Sequence, residues 1–140
     1  MVHAHSSDRL RVLVVDDDPD AADSTATLLG LAGFDARTAT TGEDALRQAE
    51  DVPPDAVFLD LMMPGMDGYE IARRLRERAA VRRPFLVAVS GCVLPEDHRR
   101  SADAGLDLHL AKPVEPAVLV GVLKRFARVL ARAGSVAVAD

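Results

Sequence analysis

Short apolar runs alternate along the chain with longer stretches in which apolar and polar residues recur at helical spacing. The first run, Leu10–Val15, is rich in β-branched residues and has the length of a buried parallel strand. Pro19 follows at a first helical position, and Gly33 stands where a helix would be capped. We therefore expect a strand followed by a helix from Pro19 to about Ala32.

The same order of strand and helix repeats through the rest of the chain. Further strands are predicted at Phe34–Thr38, Asp55–Leu59, Phe85–Val89 and Leu106–Ala111. Further helices are predicted at Thr41–Glu50, about Asp67–Arg78, Pro95 to Gly105 and Pro116 to about Ala131. Five such units with short links predict an α/β fold with helices on both faces of a parallel sheet. Five strands favour a doubly wound, flavodoxin-like sheet with strand order 2-1-3-4-5.

The length of 140 residues suits one domain, which we expect to span residues 9–132. Residues 1–8 are polar and are predicted to be a disordered arm, and residues 133–140 are predicted to be a tail of small residues. Aromatic residues make up only 4% of the chain, so the core must consist mainly of Val, Leu and Ala.

Composition also excludes several classes of protein. The single Cys92 cannot form an internal disulfide, and no apolar run approaches the ~20 residues of a membrane helix. The N-terminus lacks an apolar signal core, so we expect a cytoplasmic protein without a membrane partner. A net charge of −5 argues against direct binding of nucleic acid.

Polar residues follow four of the five predicted strands. They are Asp16 and Asp17 after the first strand, Asp60 after the third, Ser90 after the fourth and Lys112 after the fifth. Because parallel strands end at the same edge of a sheet, we expect these side chains to meet there. Taken singly, each could be a turn residue or a helix cap, and Asp18 is expected to be such a cap.

Three carboxylates at one edge need compensating positive charge. At ~4 Å and an effective dielectric constant near 20, each pair repels by about 4 kcal/mol. Lys112 offers one positive charge, and the hard oxygen ligands favour Mg²⁺ or Mn²⁺ over Zn²⁺. Because an aspartate can act as a nucleophile, this set of groups also suits transfer of a phosphoryl group to Asp60. In that reading, Ser90 would bind a phosphoryl oxygen.

Four segments resemble the receiver domain of bacterial two-component signalling, which is also called the response regulator domain. They are VLVVDDDPD (Val12–Asp20), VFLDLMMPGMDGYE (Val57–Glu70), VSG (Val89–Gly91) and LAKPV (Leu110–Val114). The resemblance runs from about Leu10 to Leu130. It implies a protein that assists its own phosphorylation and dephosphorylation, and not an enzyme that turns over external substrates.

The resemblance also implies the phosphoacceptor and its metal ligands. Asp60 is implied as the phosphoacceptor. Asp17 is implied as the main acidic ligand of Mg²⁺, with Asp16 acting mainly through water. Asp60 itself and the backbone carbonyl of Met62 complete the implied ligand set, and Pro64 and Gly68 are implied to shape the loop below the site.

Other implied roles concern the switch and the lifetime of the phosphorylated state. Lys112 is implied to contact the phosphoryl group, and Ser90 to move toward it. His109 stands where the family often has Tyr or Phe, so the switch could be altered and could depend on pH. Met62 and Cys92 occupy positions that tune dephosphorylation. Neither side chain positions an attacking water well, so a long-lived phosphoryl state is predicted.

The resemblance implies a histidine kinase or a histidine phosphotransfer protein as phosphodonor. The output is expected to reach a downstream protein through the fourth helix, the fifth strand and the fifth helix, with homodimerisation as a further possibility. The sequence identifies neither the kinase nor the target, and it leaves open whether the chain acts alone or belongs to a hybrid kinase.

Two alternatives stay open at this point. A phosphatase of the haloacid dehalogenase type also has Asp-x-Asp after a strand, here Asp16-x-Asp18. Asp20, however, stands where that family has Thr or Val, and a later acidic pair and room for a cap domain are absent. A scaffold that works without phosphorylation is disfavoured by the complete acidic set. A dinucleotide-binding enzyme is disfavoured because no Gly-x-Gly-x-x-Gly follows the first strand.

Overall fold

Five strands and five helices alternate in the computed structural model, which describes residues 9–63, 65, 67–78, 83–91 and 95–139. The strands are β1 (Arg11–Val15), β2 (Asp35–Ala39), β3 (Ala56–Asp60), β4 (Phe85–Ser90) and β5 (Leu108–Ala111). The helices are α1 (Pro19–Leu31), α2 (Gly42–Asp51), α3 (Gly68–Arg78), α4 (Pro95–Ala104) and α5 (Pro116–Ala139).

The strands form one parallel sheet in the order β2-β1-β3-β4-β5. This confirms the predicted fold class and strand order. Within the sheet, Val14 of β1 lies opposite Thr38 of β2 and opposite Phe58 of β3. Both β1 and β3 are interior strands, and their buried runs match the continuous apolar segments in the sequence.

Successive residues of each strand point to opposite faces of the sheet and build two separate cores. On one face, Leu13 and Leu59 pack in a cluster with residues of α2, α3 and α4. On the other face, Val14 and Phe58 pack with residues of α1 and α5, including the fully buried Leu123. The sheet is therefore the middle layer of three, and its carboxyl edge lies where the loops toward the helices begin.

Local signals in the sequence set the first two helices. The backbone N–H of Asp20 donates to the side chain of Asp18 at 3.0 Å, so the prediction that Asp18 caps α1 is confirmed. Thr41 caps α2 in the same way. After α1, Gly33 has a φ of 102°, a left-handed conformation that glycine adopts without steric cost.

Two boundaries differ from the prediction by more than one residue. β5 begins at Leu108 and not at Leu106, because the side chain of Asp107 accepts a hydrogen bond from the backbone N–H of Leu86 at 2.8 Å. α5 continues to Ala139, eight residues beyond the predicted end at Ala131. The added segment contains no proline, the residue that most strongly ends a helix. Among the described helices, α5 included, none combines the length and the apolar composition needed to cross a membrane.

Candidate functional site

At the carboxyl edge of the sheet, four of the five strands end in a polar residue or are directly followed by one. Asp60 and Ser90 are the last residues of β3 and β4, while Asp16 and Lys112 directly follow β1 and β5. The backbone N–H of Asp16 donates to the carbonyl of Ala39 at 3.0 Å, which holds the turn against the end of β2. The predicted site residues on these strands therefore lie along one edge of the sheet.

Three carboxylates form the centre of this edge. One oxygen from each of Asp16, Asp17 and Asp60 lies within 4.8 Å of the others. Asp60 is 5% exposed, whereas Asp17 is open to solvent. Carboxylate oxygens gathered in this way, with one side open to water, could hold a divalent cation such as Mg²⁺, which keeps several of its waters when it binds to proteins.

Lys112 lies against the acidic cluster. Its Nζ atom is 3.2 Å from Oδ2 of Asp60 and 3.9 Å from Oδ2 of Asp16. Its backbone N–H donates to the carbonyl of Ser90 at 2.7 Å, and the peptide bond between Lys112 and Pro113 is cis. The ammonium group thus provides the fixed positive charge that the three carboxylates require.

Both carboxylate oxygens of Asp60 have a donor from the protein. Oδ2 accepts from Lys112, and Oδ1 accepts from the backbone N–H of Met62 at 2.9 Å. The side chain of Met62 is 70% exposed, so only its backbone is held at the site. The loop after β3 is therefore bonded directly to the carboxylate at the centre of the site.

Burial raises the pKa of Asp16 above its ordinary value of 3.8. The hydrogen bond from the backbone N–H of Asp18, at 3.0 Å, and the charge of Lys112 both act in the opposite direction. The neighbouring charges of Asp60 and Asp17 add to the rise. A second positive charge at this edge would therefore favour the ionised form of Asp16.

The remaining predicted residues are placed less centrally. Ser90 is 3% exposed and follows Val89, which is paired with Asp60 in the sheet. His109 is half-buried on β5, opposite Ala88 of β4. Cys92 lies outside the described residues, and its proposed influence on dephosphorylation stays a prediction.

A cleft of about 280 Å³ opens beside Asp60 and Lys112. Ala21 and Thr25 of α1 and Leu119 of α5 are among the residues that line it. No local pattern in the sequence signals this cleft, because its walls come from distant segments that only the tertiary fold brings together.

Comparisons with known proteins agree with the fold described above. Residues 12–124 match the family model described as "Response regulator receiver domain". The chain is 33% identical to Protein PilG of Pseudomonas aeruginosa, covering 84% of this chain and 87% of that protein. It is 38% identical to the gliding motility regulatory protein of Myxococcus xanthus, covering 80% of this chain but only 14% of that longer protein. Among solved structures, chemotaxis protein CheY4 of Vibrio cholerae aligns with a TM-score of 0.79 and 27% identity, covering 84% of this chain and 98% of that one.

Proposed function

We propose, since the chain belongs to the response regulator receiver domain family of two-component signalling, that Asp60 accepts a phosphoryl group from a histidine kinase or a histidine phosphotransfer protein. One observation carries the proposal: a nearly buried carboxylate lies 3.2 Å from a lysine ammonium and beside two further carboxylates. A simple turn or a helix cap requires neither the lysine nor the acidic pair.

In the transfer step, a carboxylate oxygen of Asp60 attacks phosphorus and forms a new P–O bond. The P–N bond to the donor histidine breaks, and its electron pair returns to the imidazole, which leaves. Asp16 and Asp17, together with Asp60 and the carbonyl of Met62, would hold a Mg²⁺ ion. When bound, that ion places positive charge beside the phosphoryl oxygens. Neutralising the charge on these oxygens is the main electrostatic requirement of this reaction.

Lys112 and Ser90 bind the phosphoryl group once it is on Asp60. The ammonium group of Lys112 forms an ion pair with a phosphoryl oxygen in place of the one it forms with the free carboxylate. The hydroxyl of Ser90, at the end of the adjoining strand, donates to another phosphoryl oxygen. These two contacts stabilise the phosphorylated form without turnover of an external substrate, so the chain acts as a switch.

The output surface consists of α4, β5 and α5. Val118 and Val129 of α5 are 45% and 66% exposed, and Leu108 of β5 is 36% exposed. Single exposed aliphatic side chains are common on protein surfaces, so the choice of this surface rests on the family resemblance and not on these side chains. We propose that a downstream protein, or a second copy of this chain, binds here.

The proposal is tested with acetyl phosphate and Mg²⁺ as phosphodonor and cofactor. Intact mass spectrometry should show one added phosphoryl group on the wild type and none on Asp60→Asn, which keeps the shape but loses the nucleophile. Asp23→Asn, at an exposed position on α1, serves as the matched control and should be labelled like the wild type. Labelling of Asp60→Asn, or continuous hydrolysis of p-nitrophenyl phosphate by the wild type, would contradict the proposal.

The same mass measurement, followed after removal of the donor, tests the lifetime of the phosphoryl group. Met62 and Cys92 offer no side chain that orients an attacking water well, so we expect the label to persist for minutes or longer. Met62→Asn introduces a polar group at the first of these positions and should shorten the lifetime. Loss of the label from the wild type within seconds would show that another residue orients the water.

A further inference from the structure

Arg100 of α4 makes two contacts with the beginning of α3. Its guanidinium carbon lies 4.1 Å from the centre of the Tyr69 ring, a geometry that gives a cation–π interaction. Its Nη2 atom lies 3.4 Å from Oδ2 of Asp67. One side chain thus connects α4 to two residues that lie 31 and 33 positions earlier in the chain.

The residues that Arg100 contacts are themselves fixed. Oδ1 of Asp67 accepts the backbone N–H of Tyr69 at 3.0 Å, so the Asp67 carboxylate caps α3 while its other oxygen faces Arg100. Tyr69 is only 8% exposed and belongs to the core between the sheet and α3. Arg100 is therefore held against the rigid start of a helix.

The start of α3 also touches the segment that follows the phosphoacceptor. A Cβ atom placed on Gly68 would lie 2.7 Å from the Cα atom of Leu61 and 3.3 Å from the carbonyl oxygen of Asp60. The two backbones are thus in direct contact. A displacement of Leu61 toward α3 would therefore push the beginning of α3, because close-packed groups transmit strain.

This segment is bonded to the reacting carboxylate. Met62 donates to Oδ1 of Asp60, and Lys112 donates to Oδ2. When one of these oxygens forms a bond to phosphorus, the two donors have to share the remaining carboxyl oxygen and the new phosphoryl oxygens. The arrangement of the loop seen here is consequently the one that matches a free carboxylate on Asp60.

We infer that Arg100 is a positioning residue that straps α4 to α3 while Asp60 carries a free carboxylate, and that phosphorylation releases this strap. The inference rests on the proposed function of Asp60. The path runs from Asp60 through Leu61 and Gly68 to Asp67, and each step is a contact described above. The side chains of Arg100 and Asp67 are each about half-exposed, so their ion pair is weak enough to open when the loop shifts.

Tyr69 provides a direct readout of the strap. It is the single tyrosine of the chain and there is no tryptophan, so the tyrosine emission reports on this ring alone. Beryllofluoride with Mg²⁺ serves as an unreactive analogue of the phosphoryl group. We expect its addition to change the emission of the wild type, and we expect Arg100→Gln to lose most of that change. An equal change in both proteins would overturn the inference.

The strap must also affect affinity at Asp60, because coupling between two sites is reciprocal. In the wild type, part of the binding free energy of beryllofluoride is used to open the strap. Arg100→Gln has no strap to open, so it should bind the analogue more tightly, by roughly threefold to tenfold for contacts of this kind. Arg100→Lys keeps the charge but not the planar group and should fall between the two. Arg99→Gln removes the same charge from the exposed neighbouring position and should behave like the wild type.

The possible outcomes separate the two proposals. If the wild type binds beryllofluoride and Arg100→Gln binds it with the same affinity, the strap is wrong while the function of Asp60 stands. If Arg99→Gln gains as much affinity as Arg100→Gln, the effect is one of general charge and the strap is again wrong. If the wild type shows no binding that depends on Asp60, both proposals fail.

Discussion

Asp16 shows how a single residue can be costly to the fold and suited to function. Its carboxylate is partly buried between the ends of β1 and β3, next to two other acids. Burial and these neighbours raise its pKa, although Lys112 and a backbone hydrogen bond act against the rise. Ionised Asp16 therefore destabilises the folded chain at neutral pH, and a bound cation would remove that cost.

Replacing Asp16 with asparagine should stabilise the protein at pH 7 in a metal chelator. Because the folded pKa lies above the ordinary value of 3.8, the folded state binds the proton more readily. The free energy of unfolding of the wild type therefore falls as the pH rises from the ordinary pKa of Asp16 through its raised pKa in the folded state. At higher pH the free energy of unfolding stays at this lower level. Asp16→Asn has no such cost, and its amide oxygen can still accept from the backbone N–H of Asp18.

Urea unfolding at several pH values measures this effect. The advantage of Asp16→Asn over the wild type should be largest at neutral pH and should disappear below the ordinary pKa. Asp23→Asn, at an exposed position of α1, controls for the loss of one negative charge. An advantage that stays constant with pH, or one that grows in acid, would refute the explanation.

At the scale of elements, the start of α3 packs directly against Leu61, the residue that follows β3. Gly68 permits this contact because a side chain there would strike the backbone of Leu61 at 2.7 Å. Backbone atoms cannot move aside as the end of a flexible side chain can. The glycine is therefore required by close approach, even though its own backbone conformation is helical.

Gly68→Ala should lower the free energy of unfolding by about 1–3 kcal/mol, as overpacking commonly does. Gly30→Ala is the matched control, because nothing lies within 4 Å of a Cβ atom there and the residue is within α1. The control should be more stable than the wild type by about 0.5–1 kcal/mol, since alanine is the better helix former. Equal effects of the two substitutions in urea unfolding would show that close packing at Gly68 is unimportant.

At the scale of the whole molecule, two cores on opposite faces hold one sheet between them and align the ends of its strands. Asp16 after β1, Asp60 at the end of β3 and Lys112 after β5 are far apart in the chain, yet this packing brings the lysine ammonium within 4 Å of both carboxylates. A ligand that binds this edge interacts with the folded chain only. Binding there must therefore raise the stability of the entire domain.

Addition of Mg²⁺ should raise the midpoint of thermal unfolding, and a chelator should reverse the effect. At a concentration 100 times the dissociation constant, the expected gain is about 2.7 kcal/mol. Asp17→Asn removes an implied ligand that is open to solvent, so it should lose most of the Mg²⁺ effect while the apoprotein remains folded. A midpoint that rises equally in the wild type and in Asp17→Asn would argue against a magnesium site at the acidic cluster.

Much of the fold and of the site could be predicted because the signals are local. The apolar runs and the turn residues identify the strands and the helices, and the rule that parallel strands end at one edge brings Asp16, Asp60 and Lys112 together. Ends of elements were less predictable: Asp107 delays the start of β5 through a hydrogen bond to a neighbouring strand, which no pattern around residue 106 indicates.

The sequence by itself determined the order of the elements, the strand order of the sheet and the set of polar residues at its edge. It could do so because helix caps, apolar periodicity and motifs depend on residues that are close in the chain. Only the tertiary structure decided that Met62 and Lys112 take one oxygen each of Asp60, and that Arg100 lies on Tyr69 and Asp67. Contacts of this kind depend on the packing of helices against the sheet and on side-chain orientation, which no local pattern encodes.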